Sequence, residues 1–315
     1  MRKLIIGVLF FTGLGATAPL AQAVTISINQ FQEHPSLNET VRGFKDQLAE
    51  DGLEVKYKLY SAQANMAATT SIVNQIIGDR PDLILAVATP SAQATAQKIQ
   101  DIPILFAAVS DPLSAGLIDS LERPGHNVTG TSDMSPIDEQ TALMREIHPR
   151  ARSIGIVFNS GEPNSTAQIV LLKKAAEKYG FRLEQATTMH TTGVFQAAKS
   201  LVGRADIIYL LMDNTVISSL ETIRKICVEN KIPLYSSETD SVRRASIAAL
   251  SLSYYELGRQ TAKMAERVLT GEAQPADIPV ETQKEVSLVI NLKAAREMGV
   301  ILPRSVVDRA RETIE

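Results

Sequence analysis

The chain has 315 residues, enough for two domains of ordinary size, and 44% of them are apolar, a globular proportion. Lys and Arg number 32 against 35 Asp and Glu, for a formal charge of −3, and no basic patch stands out, so nucleic acid is not an expected partner. The single cysteine, Cys227, excludes an internal disulfide; it shares a helical face with Val216, Leu220 and Ile223 and reads as a core residue.

The chain opens with Arg2-Lys3 and an apolar run, Leu4 to Leu14, too short to span a bilayer. Ala21-Gln22-Ala23 is an A-x-A cleavage site, so residues 1–23 read as a signal peptide and the mature chain begins near Val24. No cysteine lies near the cut, so no lipid anchor is expected, and an exported, unanchored protein is placed in a periplasm.

From there the pattern alternates strand and helix. Strands are predicted at Thr25–Gln30, Val55–Tyr60, Leu83–Val87, Ile104–Val109 and Val128–Ser132. Helices fall between them at Leu37–Asp51, Met66–Gly78 and Ala92–Lys98, with a short one at Ala115–Leu121. Gly130 reads as a hinge where the chain leaves the first lobe. The second series runs helix Asp138–Ile147, strand Ser153–Phe158, helix Thr166–Tyr179, strand Arg182–Ala186, helix Val194–Leu201 and strand Ile207–Met212. Helix Thr215–Asn230 and strand Leu234–Ser236 complete it. Strand Ile247–Leu252, helix Tyr254–Thr270, strand Val286–Ile290 and helix Leu292–Met298 follow. Strict alternation with short loops predicts an α/β fold with parallel sheets and right-handed crossovers.

One stretch organises the rest. In Asp82–Pro112 two apolar runs, Leu83–Val87 and Ile104–Val109, have no polar face, the habit of strands covered on both sides. Each stops in small polar residues, Thr89-Pro90-Ser91 and Ser110-Asp111-Pro112. The pattern recurs from Asp206 to Thr215 and from Ile232 to Asp240: Asp, apolar strand, polar stop, helix, Ile-Pro, strand, polar stop. The repeat predicts two doubly wound parallel-sheet lobes joined by a hinge. Lobe one takes residues 24–131 and about 248–277, lobe two 132–247 and about 278–315. Ligands in open α/β sheets bind outside the carboxyl ends of the strands, so the polar stops of both lobes should line one cleft.

Several stretches together resemble one family: IPILFAAVSDPLSAGLIDSLERPGHNVTGTSDMSP, NSGEPNS, Asp213-Asn214, Ile232-Pro233 and YYELGRQTAKMAERVLTG with Ile278-Pro279-Val280. It is the substrate-binding proteins of ABC transporters, of the tryptophan/tyrosine-binding type. The resemblance spans nearly all of Val24–Pro303. It implies the type I periplasmic binding protein fold, an aromatic or other hydrophobic amino acid as ligand, and an ABC permease in the inner membrane as partner. One departure is Arg244-Ala245, where the family commonly places a glycine.

An amino acid needs donors for its carboxylate and acceptors or an anion for its ammonium. Thr89 and Ser91 supply hydroxyls and N–H groups at a helix N-terminus, where anions sit well, and Ser110 lies on the neighbouring loop, although Ser and Thr there are equally suited to simple capping. Asp213, at the end of an apolar strand, could pair with the ammonium or cap the helix after it. Glu162, Asn164, Ser165, Asn214 and Glu238 are the other polar candidates of lobe two. Phe31 and Tyr235 could face an aromatic ligand, though both suit core packing. His34 is the histidine on a cleft loop. His126, His148 and His190 are dispersed, with no metal-ligand spacing, and no nucleophile motif or cofactor loop is present. The expected function is therefore binding, without catalysis, metal or cofactor, by a monomer serving an uptake transporter. A periplasmic sensor presenting the same ligand to a membrane receptor is the alternative.

Overall fold

A computed structural model describes residues 23–315; the expected signal peptide lies outside them but for Ala23. Among the described residues no helix is long and apolar enough to cross a membrane.

The first lobe is built from β1 (Val24–Gln30), α1 (Pro35–Glu50), β2 (Val55–Ser61), α2 (Met66–Asp79), β3 (Leu83–Val87), α3 (Thr89–Lys98), β4 (Ile104–Ala107) and β5 (Val128–Ser132). The second contains α4 (Ile137–Ile147), β6 (Ser153–Asn159), α5 (Pro163–Lys178), β7 (Arg182–Thr188), α6 (Val194–Lys199), β8 (Ile207–Leu210), α7 (Asn214–Ile217), α8 (Leu220–Asn230) and β9 (Leu234–Ser236). Then come α9 (Thr239–Arg244), β10 (Ala248–Ser251), α10 (Tyr254–Leu269), β11 (Glu281–Thr282), β12 (Ser287–Asn291), α11 (Leu292–Glu297), α12 (Arg304–Asp308) and β13 (Glu312–Ile314).

The first sheet has the order β11-β5-β4-β3-β1-β2 and the second β7-β6-β8-β9. Their pairings are all parallel, as two-sided apolar strands require. Residues Leu83–Val87 and Ile207–Leu210 are fully buried. A third sheet, β10-β12-β13, is antiparallel at β10–β12 and flanks the second lobe. Each lobe has its own apolar core.

The chain crosses between lobes three times, and two crossings differ from expectation. Ile247 and Ala248 pack in the second core, whereas Ile278 packs in the first and β11 pairs with β5. The return segment of lobe one is thus displaced toward the C-terminus of the expected 248–277. Gly130, the expected hinge, has a packing reason to be glycine. It lies inside β5 opposite Phe106, and a Cβ there would sit 1.9 Å from the Phe106 carbonyl oxygen. Glycine at this position permits strand contact.

Smaller departures have local causes. No helix forms at Ala115–Leu121, because Gly116 turns left-handed after a single turn. The helix expected over Thr215–Asn230 breaks at Ser218-Ser219, where the Ser218 hydroxyl bonds back to the Thr215 carbonyl at 2.8 Å. β4 ends at Ala107 because Ala108 is left-handed.

α1 and α10 form the tightest helix pair. A Cβ on Gly43 would lie 2.0 Å from the Tyr255 carbonyl oxygen, and one on Gly258 would lie 2.0 Å from that of Thr40. The two backbones therefore touch through reciprocal glycines. Outside this contact the Glu50 carboxylate takes a bidentate pair from Arg259, at 2.9 and 2.7 Å.

Candidate functional site

The carboxyl ends of the two parallel sheets meet at the lobe interface. Met212 and Ile217, at the end of β8 and in α7, are buried in the core of the opposite lobe. The N-terminus of α1 reaches across to the second lobe twice. The Ser36 hydroxyl donates to Glu238 at 3.0 Å, and His34 Nε2 lies 3.4 Å from Asn214 Oδ1. α1 has no side-chain cap and no acid in its first turn. Glu238 supplies the missing anion from the other lobe, and its carboxylate also caps α9 through the Ser241 N–H.

The first-lobe candidates are all buried, but they do different things. The helix they precede begins earlier than expected, at Thr89, directly after a left-handed Ala88. Neither Thr89 nor Ser91 therefore caps it. The Ser91 hydroxyl donates to Asn29 Oδ1 at 3.3 Å, whereas Thr89 Oγ1 is buried with no partner. Ser110 donates to Asp133 at 2.8 Å, and the other Asp133 oxygen accepts from Tyr254 at 2.8 Å. Asp133, directly after β5, and Tyr254, the first residue of α10, were missed in the sequence because both lie where the chain crosses between lobes, outside the two repeated strand-stop units. The Asp-after-β5 in TSD repeats the polar-stop pattern and was the available signal. Burial raises the Asp133 carboxyl above its ordinary range.

In the second lobe a carboxylate pair forms the centre. Glu162 is 1% exposed and accepts five donors: Asn214 N–H and Nδ2, Thr215 N–H and Oγ1, and Asn164 Nδ2. Asp213 accepts from Asn159 N–H, Ser165 Oγ and Val216 N–H at 2.6, 2.7 and 2.9 Å. Through the last of these it caps α7. Burial, with the neighbouring Glu162 charge, pushes the Asp213 carboxyl up to about 8. Asn164 donates to the Met212 carbonyl at 2.6 Å, and its Oδ1 is buried without a partner. His34 Nδ1 is likewise unpartnered, and burial drives this imidazole down to about 4. Native structures seldom leave such atoms bare. Here Thr89 and His34 contribute them from one lobe and Asn164 from the other.

The aromatic candidates are both buried. Phe31 is buried in the first core. Tyr235 packs in the second core, edge-on to His148, with its hydroxyl 2.8 Å from His148 Nε2. Burial lowers the His148 imidazole to about 4. The unfolded chain therefore takes up this proton first, near the ordinary histidine value of 6.5. The stabilising contribution is whole above 6.5 and is lost as pH falls from there toward 4. Denaturant titrations at pH 7 and 5 should show His148→Gln losing less stability on acidification than the wild type, by about 1 kcal/mol after allowance for partial exposure. Equal losses would refute the assignment.

Among the described residues no cluster of three or more His, Cys, Asp or Glu could hold a metal. Cys227 is buried in the second core.

Comparison with known proteins gives a consistent picture. Residues 25–314 match the family model described as ABC transporter substrate binding protein. A tyrosine-binding protein of Clostridioides difficile is 40% identical over 270 residues, covering 84% of this chain and 78% of that protein. A solved ABC domain in complex with L-Trp from Streptococcus pneumonia superposes with a TM-score of 0.90 at 33% identity, over 93% of this chain and all of that one. A ligand-free, open substrate-binding protein with adhesive properties from Clostridium difficile, 36% identical over the same shares, gives only 0.68. The two-lobed fold is that of type I periplasmic binding proteins. With the matched model spanning almost every described residue, the chain belongs to the ABC transporter substrate-binding protein family.

Proposed function

We propose that this protein is the periplasmic substrate-binding component of an ABC uptake transporter, and that it encloses an aromatic amino acid between its lobes. The observation that carries the reading is that several of the buried polar atoms without partners sit just past the carboxyl ends of strands in both lobes, among them Thr89 Oγ1 and His34 Nδ1 on one side and Asn164 Oδ1 on the other. Neither lobe alone offers the whole set, so binding energy is realised only when the lobes meet, and ligand shifts the balance toward the closed form. The lobe arrangement supports this, being far nearer to that of the L-Trp complex than to that of the open protein despite similar identities. The ligand class is drawn from the tyrosine-binding relative and from that complex. Thr89, Ser91, Ser110, Asn164 and Asn214 would line the cleft, and Glu162, Ser165, Asp213 and Glu238 would brace it. The closed form would be what the permease recognises.

A thermal-shift screen of the twenty amino acids tests the ligand. L-tyrosine or L-tryptophan at a hundred times its Kd should add about 2.7 kcal/mol of stability. The same ligand should reduce the radius of gyration in small-angle scattering. A screen in which no amino acid shifts the melting temperature would refute the reading.

A further inference from the structure

The question left by the site is how a ligand ammonium is held. Asp213 and Glu162 look like the obvious counter-ions, yet three and five donors from their own lobe already engage them. Both Glu162 oxygens are taken up. Oε1 receives the two Thr215 donors, and Oε2 receives those of Asn214 and Asn164.

That arrangement dictates the orientation of its neighbours. An ionised carboxylate only accepts, so the Asn214 amide must present Nδ2 to Glu162, at 2.7 Å. Its Oδ1 is thereby turned to His34 Nε2 at 3.4 Å. An amide oxygen cannot donate, so His34 must carry its proton on Nε2. Nδ1 of the neutral ring is then an acceptor, and it is the ring nitrogen with no partner. The same Glu162 oxygen receives Asn164 Nδ2 at 3.3 Å, and the Met212 carbonyl receives it at 2.6 Å. Asn164 Oδ1 is therefore also a bare acceptor. Two acceptors on opposite lobes are thus oriented with the help of one carboxylate, His34 Nδ1 through the Asn214 amide and Asn164 Oδ1 jointly with the Met212 carbonyl.

We propose that Glu162 is a positioning residue that sets His34 Nδ1 and Asn164 Oδ1 as paired neutral acceptors, and that this pair, one from each lobe, reads the primary ammonium of the ligand. The inference rests on the amino-acid reading above and deepens it. Recognition by neutral acceptors from both lobes makes the ammonium itself a closing contact, because the two acceptors belong to different lobes. The Glu162 charge behind the pair favours a cation over a neutral group in the same place.

The test compares L-tyrosine and L-tryptophan with their 2-hydroxy acid analogues, in which a hydroxyl replaces the ammonium. On the wild-type protein the amino acid should bind at least about a hundredfold more tightly, the size expected when charged hydrogen bonds are lost. His34→Leu should narrow that ratio tenfold or more. His34→Asn, which can return an amide oxygen near the position of Nδ1, should restore much of it. Imidazole 15N spectra of the wild type should show His34 protonated on Nε2, with the Nδ1 signal moving on addition of L-tyrosine. Should Glu162→Gln fold, its His34 signal should report a mixture of tautomers; should it not, the wild-type and His34 measurements decide. A ratio near one in the wild type, a full ratio in His34→Leu, or a proton on Nδ1 would each overturn the inference and leave the amino-acid reading standing. Failure of both amino acids to bind would overturn the two together.

Discussion

Gly258→Val is expected to destabilise the protein by about 3 kcal/mol or more, the upper range for overpacking where nothing can move aside. The atoms in the way are the Thr40 carbonyl oxygen and the Phe44 amide nitrogen, which a Cβ on residue 258 would approach to 2.0 and 2.8 Å, and both belong to the backbone of α1. Relief requires the helices to separate, which uncovers Leu37, Val41, Phe44, Leu257 and Ala262 in the first core. The control is Gly78→Ala in α2, where a Cβ meets nothing within 4 Å. That change should be neutral or stabilising by up to about 1 kcal/mol, because alanine is the better helix former. Urea titrations of both variants check the pair. Equal and small effects would mean that α1 and α10 are not in backbone contact.

Removing the Glu162 side chain is expected to cost about 3 kcal/mol or more, since each buried donor left without an acceptor costs about 1–3 kcal/mol. Glu162→Ala strands five donors in a site that is 1% exposed. The damage should centre on α7, whose first two backbone N–H groups, on Asn214 and Thr215, both point at this carboxylate. Relief of the like charge should also bring the Asp213 carboxyl down from its raised value. Chemical denaturation gives the first quantity and carboxyl 13C titration the second. A loss below about 1 kcal/mol would show that solvent replaces the carboxylate.

Much of this architecture was legible in the sequence because its signals are strong ones. Runs such as Leu-Ile-Leu-Ala-Val at 83–87 have no polar face, and the strands they form are buried on both sides of a parallel sheet. The elements that escaped are short and polar. β11 is Glu281-Thr282, β13 is Glu312–Ile314, and α9 contains Asp240, Arg243 and Arg244. Their strand or helix state comes from pairing and packing at an edge, which no local propensity announces. The polar residues at strand ends were legible for the same reason as the strands. Their roles were not, because a role depends on the partner: Ser91 meets Asn29, Ser110 meets Asp133, and Tyr235 turns inward to His148. Whether Asp213 caps a helix or meets a ligand was open on sequence grounds; its bond to the Val216 N–H supplies the cap.

The glycine contact between α1 and α10 bears on how the chain acquires its shape during synthesis. Glu50 and Arg259, which close the outside of that contact, are 209 positions apart. When the first five strands have emerged, the helix that covers them has yet to be made, and the sheet still lacks β11 at its edge. A nascent first lobe therefore carries an open apolar trough along α1 for most of translation. The second lobe is no better placed, since Leu288, Ile290 and Val306 belong to its core. Both halves must wait for the last part of the chain, and the search for such distant contacts is slow. Fragments ending near residue 131 should accordingly be sticky and poorly folded, and a circular permutant that places α10 ahead of β1 should mature its first lobe sooner.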